Sequence, residues 1–411
     1  LADGSFVRPF IQILSDATPF VVGTILAAGF LDPMSRKVQM IEYLGPYHVL
    51  FMSNYLISHI HMLLVVLGYT WRSPVPVPLT IVAHFLLGGL HSLSLTTVIL
   101  LCGRSATKLG VVYGMVALGV LLRMATAAIS SSSHTDIKQQ QHGVVWALAM
   151  LTVLLLWLFN RPKDKPKPNH PAEASATERP FPAPVACLQQ EKTPSLTPAT
   201  TTPASDGYPP PASRTTIIGA LFSFAYHALV TALPACVLHL DRPTPDAPPT
   251  SLLTPTLFFW VSLAISRLTL SSWSWGEEIP GAKQKRLVYG ALILAGVLLF
   301  LPALYSSVNS VDTLAAVACA GGVLGPVYPS VVAVVHHGMG ERERLAGMGV
   351  VVAFGSAGAV AGLVVSQLFT RFSVMPVVLY LAVVAGLVGG MLLCCKGLLD
   401  EARSVEEKAA A

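Results

Sequence analysis

The polar residues of this sequence are scattered through long apolar runs, and their spacing limits the chemistry open to them. His84 and His91 are seven apart with Gly88 between them, which puts both imidazoles on one helix face. Tyr226, His227 and Thr231 form a second group, and positions 227 and 231 share a face. A neutral imidazole or a phenol both donates and accepts, which suits the hydroxyls of a small polar solute. The same residues also serve as helix-packing partners, and spacing leaves both roles open. Arg123 and Arg267 are cations inside apolar runs. At membrane depth an arginine costs about 2.5–3.5 kcal/mol, so it faces a cavity or a partner, or snorkels to the interface. Arg123 either grips an anionic or hydroxyl-rich solute or snorkels outward. Tyr328 lies within GPVYPS, residues 325–330. Its proline neighbours loosen the helix and free carbonyls toward a cavity.

Metal and enzyme chemistry find little support. His59 and His61, in HIH, are two apart, and His336 and His337 are adjacent. Positions i and i+2 point apart on a helix, and no Cys or carboxylate completes either set. No metal or other cofactor is expected. The six cysteines show no paired spacing. Cys394 and Cys395 stand where a helix leaves the membrane, as palmitoylation sites or as buried thiols. No nucleophile–base pair or Gly-rich phosphate loop stands out, so the chain is not read as an enzyme. The net charge of +5 is carried in short loops, with no basic face for nucleic acid.

The elements that position these residues follow from composition. The chain has 411 residues, of which 53% are hydrophobic and 11% charged. Soluble domains carry about 25% charged residues, so this chain belongs in a lipid bilayer. A spanning helix needs about 20 apolar residues. Such runs fall at 18–31, 47–69, 77–102, 109–129 and 143–159. They resume at 215–239, 253–275, 287–305, 313–336, 345–369 and 374–395. Residues 1–14 are read as the remnant of one more helix, truncated within it, which restores six runs on each side. The intervening 161–213 is rich in Pro, Ser, Thr, Ala and Lys, and is read as a disordered linker. The organisation is thus a first transmembrane half at 1–160, the linker at 161–213, a second half at 214–396 and a tail at 397–411.

Charge bias sets the orientation. With the linker cytoplasmic, 19 Lys and Arg lie in loops on that side and five on the other, as the positive-inside rule requires. Both termini are then cytoplasmic. The halves echo each other. Lys108 precedes Gly119 by eleven residues, and Arg344 precedes Gly355 by the same interval. Parallel halves are a transporter signature. No Asp or Glu lies deep inside any expected span, since Asp3, Asp32, Glu42 and Asp312 fall near ends.

These motifs resemble the major facilitator superfamily, and more narrowly its fungal fucose-permease-like branch. GPVYPS is similar to that branch's tenth-helix Gly-Pro-x-Tyr-Pro motif, and GMGVVVAFGSAGAVAG to its small-residue-rich eleventh helix. VSLAISRLTL resembles its eighth helix, which implies a structural or gating role for Arg267. LDPMSRK, residues 31–37, resembles the loop between helices two and three, which implies gating by Asp32, Arg36 and Lys37. Pro33 and Ser35 depart from that loop's pattern. Ser94-Leu95 stands where the branch has a Gln-Asp pair, and Val230 near its buried Glu.

The expectation is an all-α membrane protein of two six-helix bundles with an incomplete first helix. It is read as a monomeric secondary transporter of a small, sugar-like solute, in the plasma or vacuolar membrane. Candidate solute contacts are His84, His91, Arg123, Tyr226, His227, Thr231 and Tyr328. Candidate gating residues are Asp32, Arg36, Lys37, Arg267, Gly325, Pro326 and Pro329. Without an intramembrane carboxylate, the expectation is facilitated transport rather than proton coupling. The alternative is a non-transporting receptor or scaffold.

Overall fold

The computed structural model describes residues 7–30, 45–70, 77–102, 105–130, 150, 213–238, 240, 254–273, 282–304, 311–371 and 376–410. Nearly all of these residues are helical, and the described helices are α1 (Val7–Phe30), α2 (Pro46–Thr70), α3 (Val77–Cys102), α4 (Ala106–Ser130), α5 (Arg214–Leu238), α6 (Thr254–Trp273), α7 (Ala282–Leu304), α8 (Val311–Leu324), α9 (Val327–Gly338), α10 (Glu341–Arg371) and α11 (Pro376–Ala410). In lipid every backbone polar group must be satisfied internally, which leaves the helix as the solution for apolar runs of this length. Among the described residues seven spans are long and apolar enough to cross a membrane, one of them Val311–Gly338 across α8 and α9. The chain is an integral, multi-pass membrane protein. The run at 143–159 lies outside the described residues apart from Met150, as does 161–212 of the linker.

The N-terminal reading needs correction. Residues 7–30 form one continuous helix with Pro19 inside it, so 7–14 are not a separate segment before a span at 18–31. The polar Ser15 and Asp16 fall between those two expected segments, and a helix, which satisfies its own backbone, runs through them. Asp16 is consequently the tenth of the 24 residues of α1. It stands directly before the apolar stretch Ala17–Ala28 of this helix.

The helices meet where side chains are smallest. A Cβ on Gly23 of α1 would strike the Phe85 carbonyl, and one on Gly88 of α3 would strike that of Phe20. Thr24 Oγ1 spans this crossing, 2.8 Å from the Phe20 carbonyl and 3.3 Å from that of Gly88. On α10, Gly355, Gly358 and Gly362 lie against Ser223, Phe224, Ala228 and Thr231 of α5. Lipid tails supply no hydrophobic drive between helices, so close backbone packing of this kind holds them. Gly119, the first-half echo of Gly355, has no described atom within 4 Å of an added Cβ.

The halves touch along two seams. On one, α4 packs on α6 and α9, and on the other α1 and α3 pack on α10. The main core is gathered behind these seams, with Phe222, Tyr226, Phe259, Tyr328, Phe369 and Tyr380 fully enclosed. A smaller cluster of Leu64, Ala83 and Leu87 joins α2 to α3. Large apolar residues such as Leu304 and Leu393 face outward, as a lipid-facing surface requires.

The tenth expected span is broken rather than merely tolerant of its prolines. It divides into α8 and α9 at a turn formed by Gly325 and Pro326. Pro326 keeps helical dihedrals, φ −76° and ψ −14°. Gly325 N still donates to Gly321 O at 3.0 Å, and Ser330 N to Pro326 O at 3.3 Å. Pro326 and Pro329 have no amide to offer the carbonyls of Gly322 and Gly325. The break is therefore a bend with two freed acceptors.

Candidate functional site

Arg267 organises the polar interior. It lies in α6 with 4% of its surface exposed. Nη1 donates across the seam to the Tyr113 carbonyl of α4 at 3.0 Å. Nη2 donates to the Tyr226 hydroxyl of α5 at 2.9 Å. That hydroxyl donates onward to the Leu324 carbonyl at 3.0 Å, the last residue before the break. The guanidinium carbon lies 5.9 Å from both the Tyr113 and Tyr226 ring centroids, within cation–π range. One arginine thus joins α4, α5, α6 and the end of α8.

Tyr328 is the second centre. Its ring stacks on Tyr226 at 4.9 Å and meets the edges of Tyr113 at 4.8 Å and His227 at 4.6 Å. Its hydroxyl is 3.0 Å from Ser223 Oγ, and either can donate. His227 Nδ1 is 2.8 Å from the Ser223 carbonyl. A carbonyl only accepts, so Nδ1 carries the proton and the neutral ring keeps Nε2 as an acceptor. Gly325 stands where any Cβ would meet Ser266 Oγ, one residue before Arg267. The break and the arginine are therefore packed together.

The structure brings Tyr226, His227, Tyr328, Arg267, Gly325 and Pro326 into one neighbourhood and leaves other candidates elsewhere. Thr231 lies at the α5–α10 crossing against Gly362. Pro329 follows in the first turn of α9. In α3, His84 Nδ1 donates to its own helix at Thr80 O, 2.8 Å away. His91 is exposed, with its ring 5.9 Å from that of Phe20. Each histidine has its own partner, and nothing joins the pair. Asp32, Arg36 and Lys37 lie outside the described residues, and so does the Arg123 side chain, although its backbone is in α4. Among residues with described side chains, no group of three or more potential ligands is placed to hold a metal ion.

Sequence reading missed Tyr113, Ser223 and the Leu324 carbonyl. Ser223 carried a signal, since it precedes His227 by four residues and shares its face. Tyr113 and Leu324 carried none, because they are recruited from across the seam and from backbone.

Solved structures of the same architecture align over nearly the whole chain. The E. coli fucose:proton symporter FucP matches with a TM-score of 0.60 at 13% identity, covering 96% of this chain and 99% of its own. The fold is that of the major facilitator superfamily. The human organic anion transporter MFSD10 (TETRAN) matches at 0.58 and 16% identity, covering 94% of this chain and 83% of its own. A bacterial homologue of the iron transporter ferroportin, in an outward-facing state, matches at 0.54 and 13% identity, covering 97% of this chain and 91% of its own. No family model and no curated protein sequence matches the chain. Within the major facilitator fold, α4 and α6 form one seam between the halves, and the Arg267 cluster lies on it.

Proposed function

We propose that the chain is a secondary transporter moving a small, hydroxyl-bearing, sugar-like solute by alternating access. The observation that carries this reading is the buried network of Arg267, Tyr113, Tyr226, Tyr328, Ser223 and His227, set on the seam between halves and tied to a proline-broken span. Polar groups at this depth are costly, and their concentration at a seam marks a solute path. Tyr226, His227 and Tyr328 are assigned to solute contact, with Thr231, His84, His91 and Arg123 as outer contributors. Arg267, Gly325, Pro326 and Pro329 are assigned to gating, as are Asp32, Arg36 and Lys37 in their loop. The linker and both termini are placed in the cytoplasm by charge bias, in the plasma or vacuolar membrane, with the monomer as the working unit.

Solute uptake into vesicles reconstituted with full-length protein tests the proposal. Saturable uptake of at least one member of a panel of neutral and acidic sugars is expected. Absence of flux for every member favours a receptor or scaffold built on the same fold.

A further inference from the structure

Arg267 is a buried cation without a counter-charge among the residues with described side chains. Its two partners are neutral, a backbone carbonyl and a phenol. Its Nε is enclosed and has no hydrogen-bond partner. Among residues with described side chains the acids are Asp312 and Glu343. Asp312 is exposed in the first turn of α8. Glu343 is committed to Ser213 and Thr216. Buried charges in proteins are ordinarily paired, because desolvating a lone ion is expensive. A neutral side chain would suffice to bond one carbonyl and one hydroxyl, so that bonding alone does not account for a full charge here.

The surroundings indicate what completes the set. The Tyr113 hydroxyl is buried without a hydrogen-bond partner, and its ring abuts Tyr328. His227 Nε2 remains an acceptor, as derived from the bond at Nδ1. Around the cation there are thus an unpaired guanidinium N–H, an unpaired phenol and an imidazole acceptor. A guanidinium edge matches a carboxylate bidentately, while phenol and imidazole match hydroxyls.

We infer that Arg267 anchors an anion subsite and that the transported solute is a hydroxy acid of the sugar-acid class rather than a neutral sugar. This rests on the transporter reading proposed above and narrows its substrate. A carboxylate taking the Nε edge engages Nε and Nη2, so it meets the guanidinium beside the Tyr226 hydroxyl and leaves the Nη1 bond to the Tyr113 carbonyl in place. Recognition thus bears on the tie between α6 and α5 while the bond across the seam to α4 persists.

The test uses full-length protein in vesicles, with labelled D-glucuronate and D-glucose as the matched acidic and neutral probes. Glucuronate is expected to show kcat/KM at least about tenfold above glucose, a difference of about 1.4 kcal/mol. Arg267→Gln is expected to bring that ratio close to one. Arg267→Lys, which keeps the charge and loses the fork, is expected to retain a preference with weaker apparent affinity. Glucose transported as well as glucuronate overturns the anion subsite and leaves the transporter reading standing. Equal preference in the Lys and Gln variants overturns it too. Thermal stabilisation of purified protein by each probe separates the remaining cases. Should neither probe cross, stabilisation by glucuronate alone, lost in Arg267→Gln, supports the subsite while transport fails. No stabilisation by glucuronate in that case overturns the subsite as well.

Discussion

Arg267 Nη2 donates to Tyr226 Oη at 2.9 Å, and through that hydroxyl the cation reaches the Leu324 carbonyl at the edge of the helix break. A charge in one helix is thereby coupled to the bend in another. Each link can be cut separately.

Tyr226→Phe removes the relay while keeping the ring that stacks on Tyr328. It leaves Leu324 O without this donor and Arg267 Nη2 without this acceptor. A buried group left unsatisfied costs about 1–3 kcal/mol. The melting temperature of the purified protein should fall accordingly, and transport should fall with it. An unchanged melting temperature would show that the relay contributes nothing to stability.

Pro326→Ala tests the bend. The dihedrals of Pro326 are open to alanine, since φ is −76° and ψ is −14°, so the variant should fold and insert. It restores an amide that can bond Gly322 O and straighten the span. Uptake should drop several-fold at normal surface expression. Full uptake would leave packing as the sole role of the proline.

The α5–α10 crossing should be intolerant of added volume. Gly358→Ala places a methyl group on the Phe224 carbonyl, whereas Gly386→Ala meets nothing within 4 Å among described residues. Overpacking typically costs about 1–3 kcal/mol, while alanine in an open helix position gains up to about 1 kcal/mol over glycine. Thermal denaturation should separate the two variants in opposite directions.

Glu343 closes the start of α5. Its carboxylate accepts from Ser213 N at 2.6 Å and Thr216 Oγ1 at 2.8 Å, serving as a helix cap supplied from another helix. Glu343→Gln should loosen that first turn. Limited trypsin digestion should then cut after Arg214 several-fold faster than in the parent protein.

Asp16 reopens the question of coupling. It stands in α1 directly before the apolar stretch Ala17–Ala28, and a carboxylate that gains and loses a proton in the pathway is what proton-coupled carriers use. An acid outside and a more alkaline inside should drive accumulation above the external concentration. Asp16→Asn, which cannot titrate, should abolish accumulation but spare solute exchange. Accumulation that survives in the variant would assign coupling to another group.

Much of the architecture was legible in the sequence, because lipid imposes a local rule. A run of about 20 apolar residues must be a helix whatever its neighbours are. The bounds of α2, α3 and α5 follow the sequence runs within a residue or two for that reason. The rule fails where polarity and helix ends do not coincide. Ser15 and Asp16 fall between the two expected N-terminal segments and lie inside α1.

The site was legible only in part. The sequence by itself determined a bilayer protein, and it marked Tyr226, His227, Arg267 and the break at Gly325-Pro326 as departures from an apolar background. Tertiary structure decided which of these meet. Tyr226 and Tyr328 stack across 102 positions of chain, and Arg267 finds a backbone carbonyl 154 residues away. It also gave His84 and His91 different surroundings, one bonded to its own helix and one beside the Phe20 ring. Helical periodicity fixes which face a side chain occupies. Which helix covers that face depends on where small residues let two backbones approach, and that pairing is settled only when the bundle closes.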